Sequence, residues 1–303
     1  VPHRAPVPIV SVKPLTLPAP GRGDPLHVRV TAPVGGDRLP VVVLSHGHGS
    51  SLDGYGPLAD FWAAHGFVVV QPTHLDSRTL ALPADDPRRP RIWRHRVDDL
   101  TRVLDHLDDL TGAVPGLAGR VDPELIAVAG HSFGGQTAGS LVGLRVLDGD
   151  GDGEDLSDAR VRTGVLLATA GLGGSALTPF AAENFPYINP DFTHMTPPVL
   201  VVVGDRDDSP LTVRGPDWMT DAYRLSPGDK SLLTLFGAEH SLGGIAGYEA
   251  RETTDEHPAR VDLVRRAALA HLRRGLGLPD DGWDAVRSRL AAERDPLGRI
   301  DGR

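Results

Sequence analysis

Not one of the 303 residues is a cysteine, so disulfides and thiolate metal sites are both excluded. Lysine is almost missing as well. Only Lys13 and Lys230 occur against many arginines, a bias that reads as genome composition and carries no functional meaning. There is no basic run, and the net charge is −9, which argues against a nucleic-acid partner. No apolar run approaches the ~18 residues that a membrane-spanning helix needs, so no span is expected. Aromatic residues make up only 5% of the chain, which makes any local gathering of them informative. Val1 stands where a methionine would begin an unprocessed chain. The expectation is a trimmed or processed chain, either cytoplasmic or secreted with its signal peptide removed.

What is present is organised around one stretch. Leu125 to Ala129 is a short apolar run of the kind a buried strand shows, and Phe133 to Leu147 carries apolar residues at helical spacing. Between them lies Gly130-His131-Ser132-Phe133-Gly134, a G-x-S-x-G motif. On a sharp strand-to-helix turn this motif pushes a serine hydroxyl clear of the sheet. The flanking positions must lack a Cβ, and Gly130, Gly134 and Gly135 meet that demand.

The rest of the chain alternates strands with helices. Val7–Val12 and Leu26–Thr31 read as strands, the second half-exposed near a sheet edge. Val41–Leu44, Phe67–Gln71, Val161–Ala168, Pro198–Val203 and Ser231–Phe236 read as further strands. Helices are expected over Pro57–His65, Ile92–Leu110, Asp217–Leu225, Pro258–Arg274 and Asp281–Glu293. This pattern predicts one α/β domain over residues 1–303, with about eight mostly parallel strands and helices on both faces. Residues 1–25 are expected to be an extended N-terminal segment, 171–197 a loop-rich excursion on the substrate side, and 275–303 a tail with a short helix. In such sheets ligands bind beyond the carboxyl ends of the strands. His46, Ser132, Asp207 and His240 each follow such an end.

A serine hydroxyl needs a base to take its proton as it attacks, and the base needs a carboxylate to hold its tautomer. His240, followed by Ser241-Leu-Gly-Gly244, is the leading candidate for the base, and Asp207 for the carboxylate. Asp205 and Asp208 are rivals in the same turn, which is equally readable as a polar turn or a helix cap. The order Ser132, Asp207, His240 differs from that of the chymotrypsin and subtilisin triads. An oxyanion would need preorganised donors. The Phe133 backbone N–H, at a helix start where amides are unpaired, is one candidate. The His48 backbone N–H, in the turn His46-Gly47-His48-Gly49, is the other. The two histidine side chains of that turn lack a third ligand at sensible spacing, so no metal site is expected. Asp148-Gly-Asp-Gly-Asp-Gly153 opens like a calcium loop, but Ala159 stands where the bidentate glutamate belongs, so a solvated acidic loop is the better reading.

These residues resemble the α/β-hydrolase superfamily, within it the branch of dienelactone-hydrolase-like proteins, chlorophyllase-like bacterial hydrolases and secreted platelet-activating-factor acetylhydrolases. The matching pieces are Leu44-Ser-His-Gly-His-Gly49, Ala64-His-Gly-Phe-Val-Val69, Gly130-His-Ser-Phe-Gly-Gly135, Gly204-Asp-Arg-Asp207 and Gly237-Ala-Glu-His240. The resemblance implies a serine hydrolase that cleaves small-molecule carboxylic esters through an acyl-enzyme, without metal or organic cofactor. It also selects Asp207 as the acid, since the family's acid usually stands three residues after the strand-end glycine. Dienelactone hydrolases proper use a cysteine nucleophile, which this chain lacks.

Substrate preference is expected to lie with Thr73–Arg94 and Gly171–Pro197, which connect strand ends above the site. Phe180, Phe185, Tyr187 and Trp93 are the expected pocket walls, with Tyr55 as a further candidate; ordinary packing under a loop would explain the same gathering. Neither segment is long enough for a large lid domain, so an open, esterase-like site is expected. The alternatives are hydrolysis of a bulkier ester (a phospholipid acetyl ester, a polyester or a lactone) and a binding protein that reuses the fold without catalysis.

Overall fold

The structure is a computed structural model that describes residues 5–148, 151, 153–247, 254–279 and 282–303. The first half runs β1 (Ile9–Leu17), β2 (Leu26–Pro33), β3 (Leu39–Ser45), α1 (Gly56–Ala64), β4 (Val68–Pro72), α2 (Ile92–Asp105), α3 (Leu107–Gly112), β5 (Val121–His131) and α4 (Phe133–Leu141). It continues with β6 (Arg145–Val146), β7 (Val161–Leu167), α5 (Pro179–Asn184), β8 (Pro190–Asp191), β9 (Val199–Gly204), α6 (Asp221–Leu225), β10 (Lys230–Leu235), α7 (Pro258–Gly275), α8 (Trp283–Ala292) and β11 (Gly298–Gly302).

Nine strands form one sheet in the order β1-β2-β4-β3-β5-β7-β9-β10-β11. The run from β4 to β10 is parallel, and antiparallel strands close both edges. The central strands are continuous apolar runs because helices cover both of their faces. Every residue of β3, β4 and β9 is buried. One helix pair, α1 with α7, packs on one face, and α2 with α4 packs on the other. Among the described residues no helix is long and apolar enough to cross a membrane.

The strand order reverses between β3 and β5. The chain steps outward from β3 to β4, then returns to place β5 on the other side of β3. Such a switch point opens a crevice at the carboxyl ends of the two strands. The crevice lies where Ser45 at the end of β3 and Gly130 near the end of β5 stand side by side in register. The turn at His46–Gly49 and the elbow at Ser132 are therefore neighbours by topology.

Several elements depart from expectation. The helix predicted to run to Leu147 stops at Leu141. Gly143 then adopts φ +102°, and a Cβ there would lie 2.3 Å from the His194 carbonyl oxygen. The chain instead forms β6, which pairs with β8 of the 171–197 excursion. The long helix predicted from Ile92 is broken at His106 into α2 and α3. The N-terminal segment contributes β1, which covers β2, so β2 is mostly buried and not half-exposed. The C-terminal tail carries α8 but ends in β11, which pairs antiparallel with β10 and makes the ninth strand. Gly298-Arg-Ile-Asp-Gly302 is bounded by glycines and has one apolar residue. Only the free edge of β10 makes a strand of it. The calcium-like loop falls partly on residues 149, 150 and 152, which lie outside the described residues.

Candidate active site

Ser132 sits at φ 55°, ψ −122°, a region non-glycine residues seldom enter. Such strain costs roughly 1–3 kcal/mol and persists only where the surroundings impose it. Here its N–H donates to the Leu167 carbonyl on β7 at 2.8 Å, and its own carbonyl accepts from the Gly135 N–H at 2.9 Å. The glycines around it are forced by close approach. A Cβ on Gly130 would lie 1.9 Å from the Gly134 carbonyl oxygen, and one on Gly134 would lie 2.1 Å from that of Ser45.

Three side chains separated by 75 and 33 positions meet here. His240 Nε2 is 2.9 Å from Ser132 Oγ, and His240 Nδ1 is 2.8 Å from Asp207 Oδ2. Asp207 is buried, with 3% of its surface exposed, while the His240 side chain remains 46% exposed. The two loops that carry them are locked together. Arg206 N–H donates to the Ala238 carbonyl at 2.9 Å, and a Cβ on Gly204 would lie 2.2 Å from that same oxygen. Asp205 accepts from the Gly237 N–H at 2.6 Å and Asp208 lines the cavity, so of the three acids in the turn only Asp207 bonds the imidazole.

The histidine loop has a second anchor that the sequence did not disclose. Asp255 is buried and accepts from the Glu239 N–H at 2.8 Å, the Gly243 N–H at 3.0 Å and the Ser241 hydroxyl. Nothing in its local sequence marks it, because its partners, two main-chain N–H groups and one hydroxyl, stand twelve to sixteen positions away.

Beside the elbow, the turn after β3 is held from below. The Arg96 side chain is fully buried. It donates to both carboxylate oxygens of Asp76 at 2.7 and 2.8 Å, to Thr137 Oγ1 at 3.0 Å and to the His46 carbonyl, and lies 4.5 Å from the Phe133 ring centroid. Asp76 in turn accepts from the Gly49 N–H at 3.2 Å and lies 3.3 Å from His48 Nδ1. Burial raises the Asp76 carboxyl, but Arg96 and the His48 hydrogen bond outweigh it and hold the group well below the usual carboxylate range. His46 is used up internally: Nδ1–H donates to the Gly47 carbonyl at 2.7 Å, and Nε2 accepts from the His74 N–H at 3.0 Å. Burial, helped by the Arg96 charge, lowers its pKa to about 3. It is a neutral structural ring.

The Gly47 carbonyl and the His48 N–H belong to one peptide plane. With the oxygen tied to the His46 ring, the N–H of a trans peptide points the other way. Phe133 is the first residue of α4, so its N–H has no partner within the helix. The rings of His48 and Phe133 lie 6.4 Å apart across the crevice, and both residues line the same cavity as Ser132.

That cavity has a volume of about 470 Å³, within the range of ligand sites. Phe180, Phe185 and Tyr187 line it, with Tyr187 stacked on Phe133 at 5.2 Å. Trp93 does not line it. That residue lies in the first turn of α2, half-buried against the core, so its expected wall role is corrected. Tyr55 is likewise buried away from the cavity, with its hydroxyl committed to internal hydrogen bonds. The opposite wall is made by Pro210, Leu211, Trp218 and Met219, from the stretch between β9 and α6. Sequence reasoning missed this wall, because loop residues after a strand carry no periodicity to show which way they face. Among the described residues no group of three His, Cys, Asp or Glu side chains could hold a metal ion.

The chlorophyllase family model matches residues 10–148, which takes in β1 to β6 with the His46–Gly49 turn and the elbow, but neither Asp207 nor His240. The chain is 24% identical to the platelet-activating factor acetylhydrolase of Canis lupus familiaris, over 83% of this chain and 61% of that protein. It is 26% identical to that of Cavia porcellus, over 86% of this chain and 63% of that protein. The chain thus spans about three-fifths of the length of these relatives. The sheet order and the strained serine at the switch point give the chain an α/β-hydrolase fold, and its likenesses lie with the chlorophyllase family model and, at a distance, with the platelet-activating factor acetylhydrolases.

Proposed function

We propose that the chain hydrolyses carboxylic esters through an acyl-enzyme, with Ser132 as nucleophile, His240 as base and Asp207 as the acid that orients it. The observation that carries this reading is the unbroken series Ser132 Oγ, His240 Nε2, His240 Nδ1, Asp207 Oδ2, two hydrogen bonds of 2.9 and 2.8 Å opening on an apolar cavity. His240 Nε2 takes the hydroxyl proton as Oγ attacks the carbonyl carbon. Asp207 keeps the remaining proton on Nδ1 and stabilises the imidazolium. The oxyanion accepts from the His48 and Phe133 N–H groups, donors worth roughly 3–4 kcal/mol each in such sites. Collapse expels the alcohol, which takes the proton from His240, and water repeats the sequence to release the acid. Every step uses groups of the chain itself, so the mechanism calls for no metal or organic cofactor.

The apolar walls favour an uncharged acyl or alcohol group next to Ser132. The relatives' name, an acetylhydrolase, supports the bulkier-ester alternative, in which a small acyl group is cut from a large alcohol. Relative rates on p-nitrophenyl acetate, butyrate and octanoate, and on acetyl esters of large alcohols, separate the two. Ser132→Ala is expected to lower p-nitrophenyl ester turnover by about 10⁵-fold or more; turnover near the wild-type rate would refute the serine mechanism. A fluorophosphonate that fails to label Ser132 would favour the non-catalytic reading.

A further inference from the structure

The His131 side chain, at the first unspecified position of the G-x-S-x-G motif, enters none of the steps above, yet it is buried and bonded, directly or through Tyr55, to both loops that the steps depend on. Its Nε2 is 2.8 Å from the His240 carbonyl oxygen, and its Nδ1 is 2.8 Å from the Tyr55 hydroxyl. That hydroxyl lies 3.0 Å from the Gly47 nitrogen. Chemistry fixes the direction of every link. A main-chain N–H only donates, so Tyr55 Oη accepts from Gly47 and is free to donate its own proton to His131 Nδ1. The ring proton then sits on Nε2 and is donated to the His240 carbonyl, which only accepts.

Burial, reinforced by the neighbouring His240, lowers the pKa of His131 to about 3, in keeping with a ring that keeps this one tautomer. The main chain of Tyr55 adds another tie, since its N–H donates to the Ala246 carbonyl, in the loop that follows His240, at 3.0 Å. Tyr55 holds φ 62°, a left-handed conformation unusual for an aromatic residue, and strain of this kind gathers where the surroundings hold a residue in place for function. Gly47 completes the fit: a Cβ there would lie 2.9 Å from Tyr55 Oη and 3.2 Å from His131 Nδ1.

We propose that Tyr55 and His131 are positioning residues that couple the oxyanion turn at Gly47–His48 to the loop that carries His240. The strut sets the distance between the donor that receives the developing charge and the base that takes the proton. It rests on the serine mechanism proposed above and does not itself touch the reacting atoms. A misplacement of about 1 Å between such groups lowers rates by as much as 100-fold, and it acts on the transition state more than on substrate binding.

The test uses the full chain, p-nitrophenyl butyrate and a trifluoromethyl ketone, whose carbonyl carbon takes up a serine Oγ to give an oxyanion resembling the transition state. Tyr55→Phe removes one oxygen from a filled site. It is expected to lower kcat by about 10- to 100-fold, leave KM within a few-fold, and weaken trifluoromethyl ketone inhibition by the same factor as kcat/KM. His131→Leu should behave likewise, and His131→Gln, which keeps one acceptor and one donor, should recover part of the loss. Should His131→Leu fail to fold, Tyr55→Phe alone decides. A Tyr55→Phe protein with wild-type kcat per titrated active site overturns the strut, as does a loss confined to KM or one that leaves ketone affinity unchanged. Ser132→Ala separates the two levels. If it retains turnover, the serine mechanism itself fails and the strut with it. If it is inactive while Tyr55→Phe is unimpaired, only the strut falls.

Discussion

Among the described residues two serine–histidine–aspartate chains stand out, about the same in hydrogen-bond length and opposite in setting. One is Ser132–His240–Asp207. The other is Ser45–His74–Asp99, in which Ser45 Oγ is 2.9 Å from His74 Nε2 and His74 Nδ1 is 2.9 Å from Asp99 Oδ2. In the second set all three residues are buried, and Ser45 is the last residue of a fully buried strand. Arg22 closes the far end, donating to Asp99 at 2.8 Å and to the Thr73 carbonyl at 2.7 Å, and Arg96 reaches Ser45 at 3.3 Å. Such a set satisfies polar groups inside the protein and holds the β3 and β4 ends together. The open set differs in three physical respects. Its serine is held at positive φ just past the strand end, its neighbours His48 and Phe133 line a cavity with it, and its histidine is reachable from solvent. The same hydrogen-bond geometry thus occurs in a sealed setting and in an open one, and access is what separates them.

The sharpest way to break that contrast is to remove the acid from each set. Asp207→Asn is expected to lower kcat by about 10⁴-fold with little change in Tm. Asp99→Asn should leave kcat per folded molecule roughly unchanged but destabilise the chain by about 3–5 kcal/mol above pH 7, where the Asp99 carboxyl, raised to about 7 by burial, carries the countercharge of the buried Arg22. Kinetics and urea denaturation of both variants would decide, and comparable kcat losses in the two would erase the distinction.

Acid should expose the buried rings next. Burial holds His46, His131 and His271 near pKa 3 and pushes His74 in the same direction. The unfolded chain takes up protons on these rings below about pH 6.5 and the native chain does not. The stability they allow is therefore full above that pH and falls as pH drops from 6.5 toward 3, by up to about 1.4 kcal/mol per pH unit for each ring. His271 lies far from the site, 3.2 Å from Thr163 Oγ1. His271→Gln should therefore flatten the urea-denaturation slope between pH 6 and 4 by about one proton without altering the pH dependence of kcat. An unchanged slope would mean that the ring is protonated in the native protein.

The smallest effects belong to the cavity wall. Met219→Ala should raise KM for octanoate esters several-fold relative to acetate, since one buried side chain is worth about 1–3 kcal/mol in discrimination. Trp93→Ala should leave that ratio unchanged. A shift caused by Trp93→Ala would place the acyl group against α2 instead.

Legibility in the sequence followed local chemistry. The apolar runs of the central strands, the glycines around Ser132 and the histidine after β10 are all short-range signals, and each marked its element or its neighbour in the site. Asp207 needed the family resemblance to separate it from Asp205 and Asp208, because three acids in one turn look alike until one of them meets an imidazole. Trp93 was misjudged because an aromatic near a loop gives no sign of whether it faces a cavity or the core. Asp255, Met219 and Trp218 left no local mark at all.

The order of residues alone determined that a serine would stand on a glycine-walled turn between a buried strand and a helix, since sterics admit little else there. Only the tertiary structure decided which histidine and which acid that serine would meet, and which of two similar polar chains would be sealed. Those choices depend on the reversal of strand order between β3 and β5 and on the loops it brings together, and contacts across more than a hundred positions have no signature within a short window of sequence.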